Sequence, residues 1–576
     1  MKTSICQRFI FLATLLFLQA LAGSRATAQW IWMGGDSSID NAGRYGIRST
    51  PSPSAQPGHR YYFASWKDAA ANLWLFGGSG FDGAGTHGQL NDLWKYNPLA
   101  GEWTWISGDA TINQHSVYGT RGVADPLNKP GARQSAATWT DAAGNFWLFG
   151  GVGYALRDSP GSLSDLWKYN PAIGQWAWMS GDTIPFKHGK YGEKTIAAAG
   201  NTPGGRSDAS GWIDPSGSLW LFGGFGDAVS TYGYLNDLWK YDPKSNQWTW
   251  ISGDSTVGQN GVYGTIGNSS PTAMPGGRTA MSTWMDLQGN TWLFGGSGLA
   301  ASGSADYLND LWKYDPLAHQ WTWVAGDSTT GQPGQYGTRD KPSPLNQPGS
   351  RNSAARWTDA NGRFWLFGGI GHDGFEGAGY LSDLWTYDPT TRQWTWYAGD
   401  NKVYAYDSYG AKGIPGKNNK PCGRYGNTGW ADSAGNFWLF GGYGLPPAGA
   451  GYLNDVWVCR LNNNSPLPAL PAEKEGVKLA AAAGKNTVII TWKASKEQSN
   501  GRFNVQRGTD GLHWRTIGVM ASYDSKKDST DYSFVDENPV QGMNYYRLQQ
   551  LSAGQLLLSN VAALSFITGS AANRRN

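Results

Sequence analysis

The chain has 576 residues, with 46 Lys and Arg against 43 Asp and Glu, for a formal net charge of +3. That balance leaves no basic surplus for nucleic acid and no acidic tail, and the length exceeds one ordinary core, so several domains or a repeat architecture are expected. Its 81 Gly, 32 Trp and only 15% charged residues predict many short strands joined by tight turns.

The first element is a secretory signal, expected over residues 1–28. Lys2 and Arg8 give the positive start, and Phe9 to Ala22 is an apolar run too short for a membrane span. Ala26-Thr27-Ala28 offers small residues for cleavage near Ala28, leaving Gln29 as the new first residue. Leu21-Ala22-Gly23-Ser24 is shaped like a lipoprotein box, but Ser24 stands where a lipidated Cys is required. Free export to the cell surface or medium is therefore expected, and no later segment is apolar enough for membrane insertion. Of three Cys, Cys6 leaves with the signal; Cys422 and Cys459 remain, and export permits but does not require their pairing.

Residues 29–462 are a repeat. The string WLFGG begins at Trp74, Trp147, Trp220, Trp292, Trp365 and Trp438. A second motif, L-[NS]-D-[LV]-W, begins at Leu90, Leu163, Leu235, Leu308, Leu381 and Leu453. A third, P-[GC]-x-R, ends at Arg60, Arg133, Arg206, Arg278, Arg351 and Arg424. Each unit reads as four strands: one after the Arg (Gln134 to Trp139), one closing in Gly-Gly (Phe146 to Gly150), one over Asp165 to Tyr169 and one over Gln175 to Ser180. Asp141-Ala-Ala-Gly-Asn145 and Asn170-Pro-Ala-Ile-Gly174 supply the turns between them. No 3.6-residue apolar period runs through the repeats, so helix should be nearly absent.

These units resemble kelch repeats in the Gly-Gly pair, the third-strand aromatic (Tyr96, Tyr169, Tyr241, Tyr314, Tyr387) and the Trp of the last strand. The resemblance implies an all-β propeller of four-stranded blades. The excess over the ~50-residue kelch period lies in a long loop before each first strand, a pattern similar to bacterial exported proteins related to the central domain of galactose oxidase. The W-x-W motif of the last strand begins at Trp30, Trp103, Trp176, Trp248, Trp321 and Trp394, one strand out of phase with the other motifs. A six-bladed ring follows, with the Trp30 strand completing the last blade and removing an open edge. The paired Trp of each last strand, such as Trp103 and Trp105, face one way and are expected beside the neighbouring blade.

Residues 463–475 read as a Pro/Asn-rich linker. Residues 476–567 then alternate as strands of a small β-sandwich, and Phe503-Asn-Val-Gln-Arg507, Asp510-Gly-Leu-His-Trp514 and Gly542-Met-Asn-Tyr-Tyr-Arg-Leu548 resemble fibronectin type III-like modules. Residues 568–576 form a tail.

A residue repeated in every blade is expected to lock blades rather than bind ligand. The six Arg are therefore read as structural, against the alternative of an Arg ring at the channel mouth binding a carboxylate or sulfate. The seven His show no metal-ligand spacing, and no cofactor or metal is expected. The copper site that a galactose oxidase likeness implies has no residue-by-residue counterpart here. Individual function should lie where the repeats differ, on the face with the long loops. Just after each Arg stand Tyr61 and Tyr62, Gln134, Ser207 and Asp208, Thr279, Asn352, and Tyr425. Of these Tyr61, Tyr62, Gln134, Asp208, Asn352 and Tyr425 are the candidate mouth residues, against ordinary variation at solvated positions. His87, Arg157, Asp158, His372, Asp373 and Glu376 join them from other loops on that face. The expectation is a monomeric, non-catalytic module binding a glycan or an extracellular protein. The alternatives are a glycan-active enzyme, since some kelch propellers it resembles are sialic-acid mutarotases, with Asp208 and nearby Arg206 as its acid and cation, and a structural surface protein.

Overall fold

The computed structural model describes residues 28–461 apart from position 433, and most of 477–566. The linker, the tail, His513 and nearly all of the expected signal lie outside the described residues. Two compact units separate, one ending at Pro468 and one starting at Ala469.

The first unit is all antiparallel sheet, with no helix among its described residues. Blade 3 is representative. Its innermost strand comes in two pieces, Arg206–Ser207 and Ser210–Ile213, followed by Leu219–Asp227, Tyr232–Asp242 and the outermost Gln247–Ser252. The same order recurs in all six repeats, with the second and third strands of blades 2 and 5 interrupted as well. Blade 6 takes its outermost strand from the other end of the chain. Gln29–Gly34 pairs with Gly451–Arg460, Gln29 opposite Arg460 and Trp32 opposite Trp457.

The break in each innermost strand corrects the single strand expected from the sequence. At the break stand Tyr62, Ser135, Asp208, Ala280, Ser353 and Gly426, with φ between 52° and 64°. Only one is Gly, so five residues hold a left-handed conformation that costs an L-residue about 1–2 kcal/mol. What offsets it is a closed circle of backbone hydrogen bonds. The Ser135 N–H donates to the Tyr62 carbonyl (2.7 Å), and Asp208, Ala280, Ser353 and Gly426 each donate to the residue before them (2.8–3.2 Å). The Tyr62 N–H then donates to the Gly426 carbonyl at 2.9 Å and closes the ring. Six blades thus share one girdle around the axis. The Gly-Gly pairs serve the same joint: a Cβ on Gly77 would sit 2.7 Å from the carbonyl oxygen of Arg133 in the next blade.

Between blades the core is aromatic. Trp66 stacks on Phe146 of the next blade at 5.3 Å, and its Nε1 donates to the Trp147 carbonyl. Trp103 packs against Phe440 of the preceding blade at 4.9 Å. Each such ring buries about 150–250 Å², or about 4–6 kcal/mol at ~25 cal/mol per Å² as an upper figure. The second Trp of the pair behaves differently from expectation. Trp105 is roofed by the long loop of its own blade, with Tyr45 edge-on at 5.0 Å and the Arg48 guanidinium 4.5 Å above its ring.

That loop is also not left free on the face where binding is expected. Its tip runs back along the outermost strand: the Ser49 N–H donates to the Trp105 carbonyl and the Ser52 N–H to that of Trp103. Equivalent bonds from Gly122, Thr195, Gly267, Asp340 and Gly413 reach the same Trp in the other blades. The excess length of the repeat therefore covers the exposed edge of each blade.

The second unit is a sandwich. One sheet holds Leu479–Ala483, Val488–Ser495 and Ser529–Asp536. The other holds Arg515–Ala521, Arg502–Gly508, Gly542–Ser552, Gln555–Leu558 and Ala562–Phe566. Val488, Ile490 and Trp492 of the first face Phe503, Val505 and Leu548 of the second in one core.

Candidate functional site

The repeated polar residues form a closed lattice. Each Arg is buried and grips the Asp of its own L-[NS]-D motif through two parallel bonds. Arg206 Nη1 and Nη2 lie 2.6 and 2.9 Å from the Asp237 carboxylate, and Arg60 meets Asp92 in the same way. Arg133, Arg278, Arg351 and Arg424 pair with Asp165, Asp310, Asp383 and Asp455. The remaining guanidinium protons go to backbone carbonyls, such as Gly204 and Gly223 for Arg206. A loop Tyr and a third-strand Trp complete the Asp: Tyr191 Oη and Trp239 Nε1 both donate to Asp237 Oδ2 at 2.7 Å. None of these Arg is open to a ligand, so neither the Arg ring nor an Asp208–Arg206 catalytic pair is available. The turn Asp residues are likewise occupied; Asp141 accepts from the backbone of its own turn and from Trp147 Nε1.

On the long-loop side of the girdle lies an aromatic cluster. Tyr61 contacts Tyr62 at 4.5 Å between ring centroids, Tyr452 at 5.2 Å and Tyr425 at 5.9 Å. Tyr425 in turn meets Tyr380 at 5.5 Å and Tyr443 at 5.8 Å. His87 joins through Tyr452 at 4.9 Å. Blades 5, 6 and 1 thus wall one side of the mouth with half-buried tyrosines. Burial first, then the neighbouring Tyr452 and Asp208, raises the Tyr61 hydroxyl to about 12, so it stays a neutral donor. Burial also raises the Tyr425 hydroxyl.

The other expected residues fall differently. Tyr62 sits in the girdle, its hydroxyl 3.1 Å from Ser353 Oγ. Asp208 is also a girdle residue; enclosure pushes its carboxyl above the ordinary range, while Ser135 and Ser207 act against that. Gln134 and Asn352 hold the matching positions of blades 2 and 5, and no described side-chain contact joins them to the tyrosines. Asp158 pairs with His115 at 3.2 Å, and Asp373 binds backbone N–H groups of its own loop. Tyr380, Tyr443 and Tyr452 escaped the sequence reading because they lie on second and third strands. The signal was present in the column Gln89, Ser162, Tyr234, Tyr307, Tyr380, Tyr452 just before each L-[NS]-D motif.

Beyond the girdle, toward the short turns, the axis opens into a chamber of about 320 Å³. Its wall is small and hydroxyl-bearing: Ser65, Ser135, Thr138, Ser210, Ser353 and Thr428. Tyr62 and Asp208 contribute from the girdle, and Arg356 is the one cation.

Two segments match kelch motif models, residues 216–249 and 277–328. The solved structure of YjhT is 13% identical, with 70% of this chain and 95% of that chain covered and a TM-score of 0.41. A fungal alcohol oxidase of the AA5 family in complex with copper is 14% identical, with 91% and 100% covered and a TM-score of 0.39. No group of three or more His, Cys, Asp or Glu among the described residues is arranged to hold a metal ion. Cys422 and Cys459 are both free and buried. The motif matches and the observed sheet order make this chain a kelch β-propeller.

Proposed function

We propose that this kelch propeller is an exported, non-catalytic binding module that holds a glycan against the tyrosine wall of its mouth. The observation that carries the reading is the cluster of Tyr61, Tyr380, Tyr425, Tyr443 and Tyr452 on one side of the axis. A tyrosine presents an apolar ring to the C–H face of a sugar and a hydroxyl to its oxygens. The wall stands on a girdle fixed by backbone bonds, so little ordering opposes binding. The signal-like N-terminus supports export.

The test is a glycan array with the mature chain beside a Tyr61→Ala/Tyr425→Ala variant. Selective binding that falls at least about tenfold in the variant supports the reading, since one buried aromatic contact is worth about 1–2 kcal/mol. Binding by neither protein rejects the glycan and turns the search to an extracellular protein.

Asp208 favours a second reading, a glycan-active enzyme. An enclosed carboxyl with a raised pKa beside tyrosine hydroxyls suits proton transfer. Turnover of a bound sugar that stops in Asp208→Asn, with binding retained, would select it.

A further inference from the structure

The chamber on the short-turn side of the girdle is distinct from the tyrosine wall. Tyr61, Tyr380, Tyr425, Tyr443 and Tyr452 do not line it. Its shape follows from the innermost strands. The girdle residues form its ceiling, and the strand pieces Ala64–Lys67, Ala137–Thr140, Ser210–Ile213, Ala355–Thr358 and Thr428–Ala431 descend as its sides.

Each innermost strand carries one Trp wedged between blades, such as Trp139 and Trp357. Counting the blade 4 strand Ser282–Met285 as well, the residue just before that Trp runs Ser65, Thr138, Gly211, Thr283, Arg356 and Gly429 around the axis. Five of these are small and uncharged, and Arg356 alone is large and cationic.

Arg356 is unlike the six repeated Arg in every respect. Those are sealed and doubly bonded to an Asp. Arg356 is exposed and lines the chamber, and no described carboxylate pairs with it. The surrounding protein strips enough solvation to bring its guanidinium down to about 10, still cationic at neutral pH. The other ionisable groups facing the chamber are Asp208, whose enclosed carboxyl has a raised pKa, and the Tyr62 hydroxyl, also raised. Lys67 stands at the outer end of the same wall, its Nζ 3.3 Å from the Ala431 carbonyl. Both amide atoms of Asn427, another lining residue, are sealed from bulk solvent without a described partner.

A lone guanidinium in a partly desolvated, hydroxyl-lined chamber is a fork of donors without an acceptor. We propose that this chamber is a binding site for a small oxyanion, a carboxylate, sulfate or phosphate, with Arg356 as its charged anchor and the Ser and Thr hydroxyls as secondary donors. At about 320 Å³ the chamber is at the small end of ligand pockets, which run from about 300 to 1,000 Å³. Sulfate, phosphate and short hydroxy acids fit such a space.

The test is calorimetric titration of the full mature chain with sodium sulfate, phosphate, acetate and lactate in separate arms, at constant ionic strength held with chloride. Saturable one-site binding in at least one arm is expected. Arg356→Gln should weaken it about tenfold or more, as loss of a charge-assisted bond requires, while Arg356→Lys keeps part of it. The Tyr61→Ala/Tyr425→Ala variant should bind the anion unchanged, which separates this site from the glycan reading. No saturable binding in any arm, or equal binding by folded Arg356→Gln, overturns the proposal. Thermal unfolding without anion guards against misfolding: Arg356→Gln should melt no lower than the parent, because the guanidinium it removes has no described ion-pair partner.

Discussion

Two sets of arginines come from the same repeat and have opposite fates. Arg60, Arg133, Arg206, Arg278, Arg351 and Arg424 recur in every blade, and each is buried with its charge neutralised by an Asp and its spare protons taken by carbonyls. Arg356 occurs once, one layer along the same innermost strand, and is left without a described partner in an open chamber. Where six copies agree, the polar chemistry is used up by the fold. Where they differ, along the axis, side chains remain open to something else. The same contrast separates Tyr96, Tyr169, Tyr241, Tyr314 and Tyr387, buried between blades, from the tyrosines at the mouth.

The comparison is broken most severely at the lattice. Arg278→Ala strands the Asp310 carboxylate in a dry site, together with Tyr263 and Trp312, which share it. Removing one partner of a buried pair costs about 3–5 kcal/mol, so denaturant unfolding should show a loss of that order. Arg356→Gln should show none.

Blade 6 offers a sharper test, because it carries an acid that the other blades lack. Asp407 is buried beside the Arg424–Asp455 pair, and burial first, opposed by Arg424 and aided by Asp455, raises its pKa to about 6. Its folded value lies above that of an unfolded Asp, near 3.8. The folded state therefore holds this proton more tightly, and stability is lost as pH rises through the window from about 4 to 6. Asp407→Asn should unfold at a higher temperature than the parent at pH 8, with the gap closing by pH 4. An equal gap at both pH values would show that the carboxyl is not the cause.

The smallest effect belongs to the girdle. Ala280 holds φ at 54°, a conformation open to Gly at no steric cost. Ala280→Gly should stabilise by up to about 1 kcal/mol, the strain relieved being partly offset by the freer unfolded chain. A loss of stability would mean that the Ala280 methyl group contributes more packing than the strain costs.

Much of this was legible in the residues alone. The WLFGG, L-[NS]-D and P-[GC]-x-R spacings imply the repeated sheet, and the early Trp30 strand implies closure, because period and strand order are properties of a linear pattern. The recurrence of Arg and Asp at fixed places implies a structural role for both. The partnership between them was not legible, since Arg206 and Asp237 lie 31 residues apart and meet only when the blade folds. The strand break at Asp208 was hidden for a like reason. Its left-handed backbone is favourable only when five other blades complete the circle. The loops misled in the other direction: their length suggested a binding face, yet their N–H groups satisfy the outer strands.

Local sequence determined the main elements and their order, because hydrophobic alternation and turn chemistry act over a few residues. Tertiary structure decided which polar groups are free. Freedom depends on distant partners: Arg206 loses it to Asp237, the loop backbone loses it to Trp250, and Arg356 keeps it because, among the described residues, no carboxylate pairs with it where the innermost strands line the chamber.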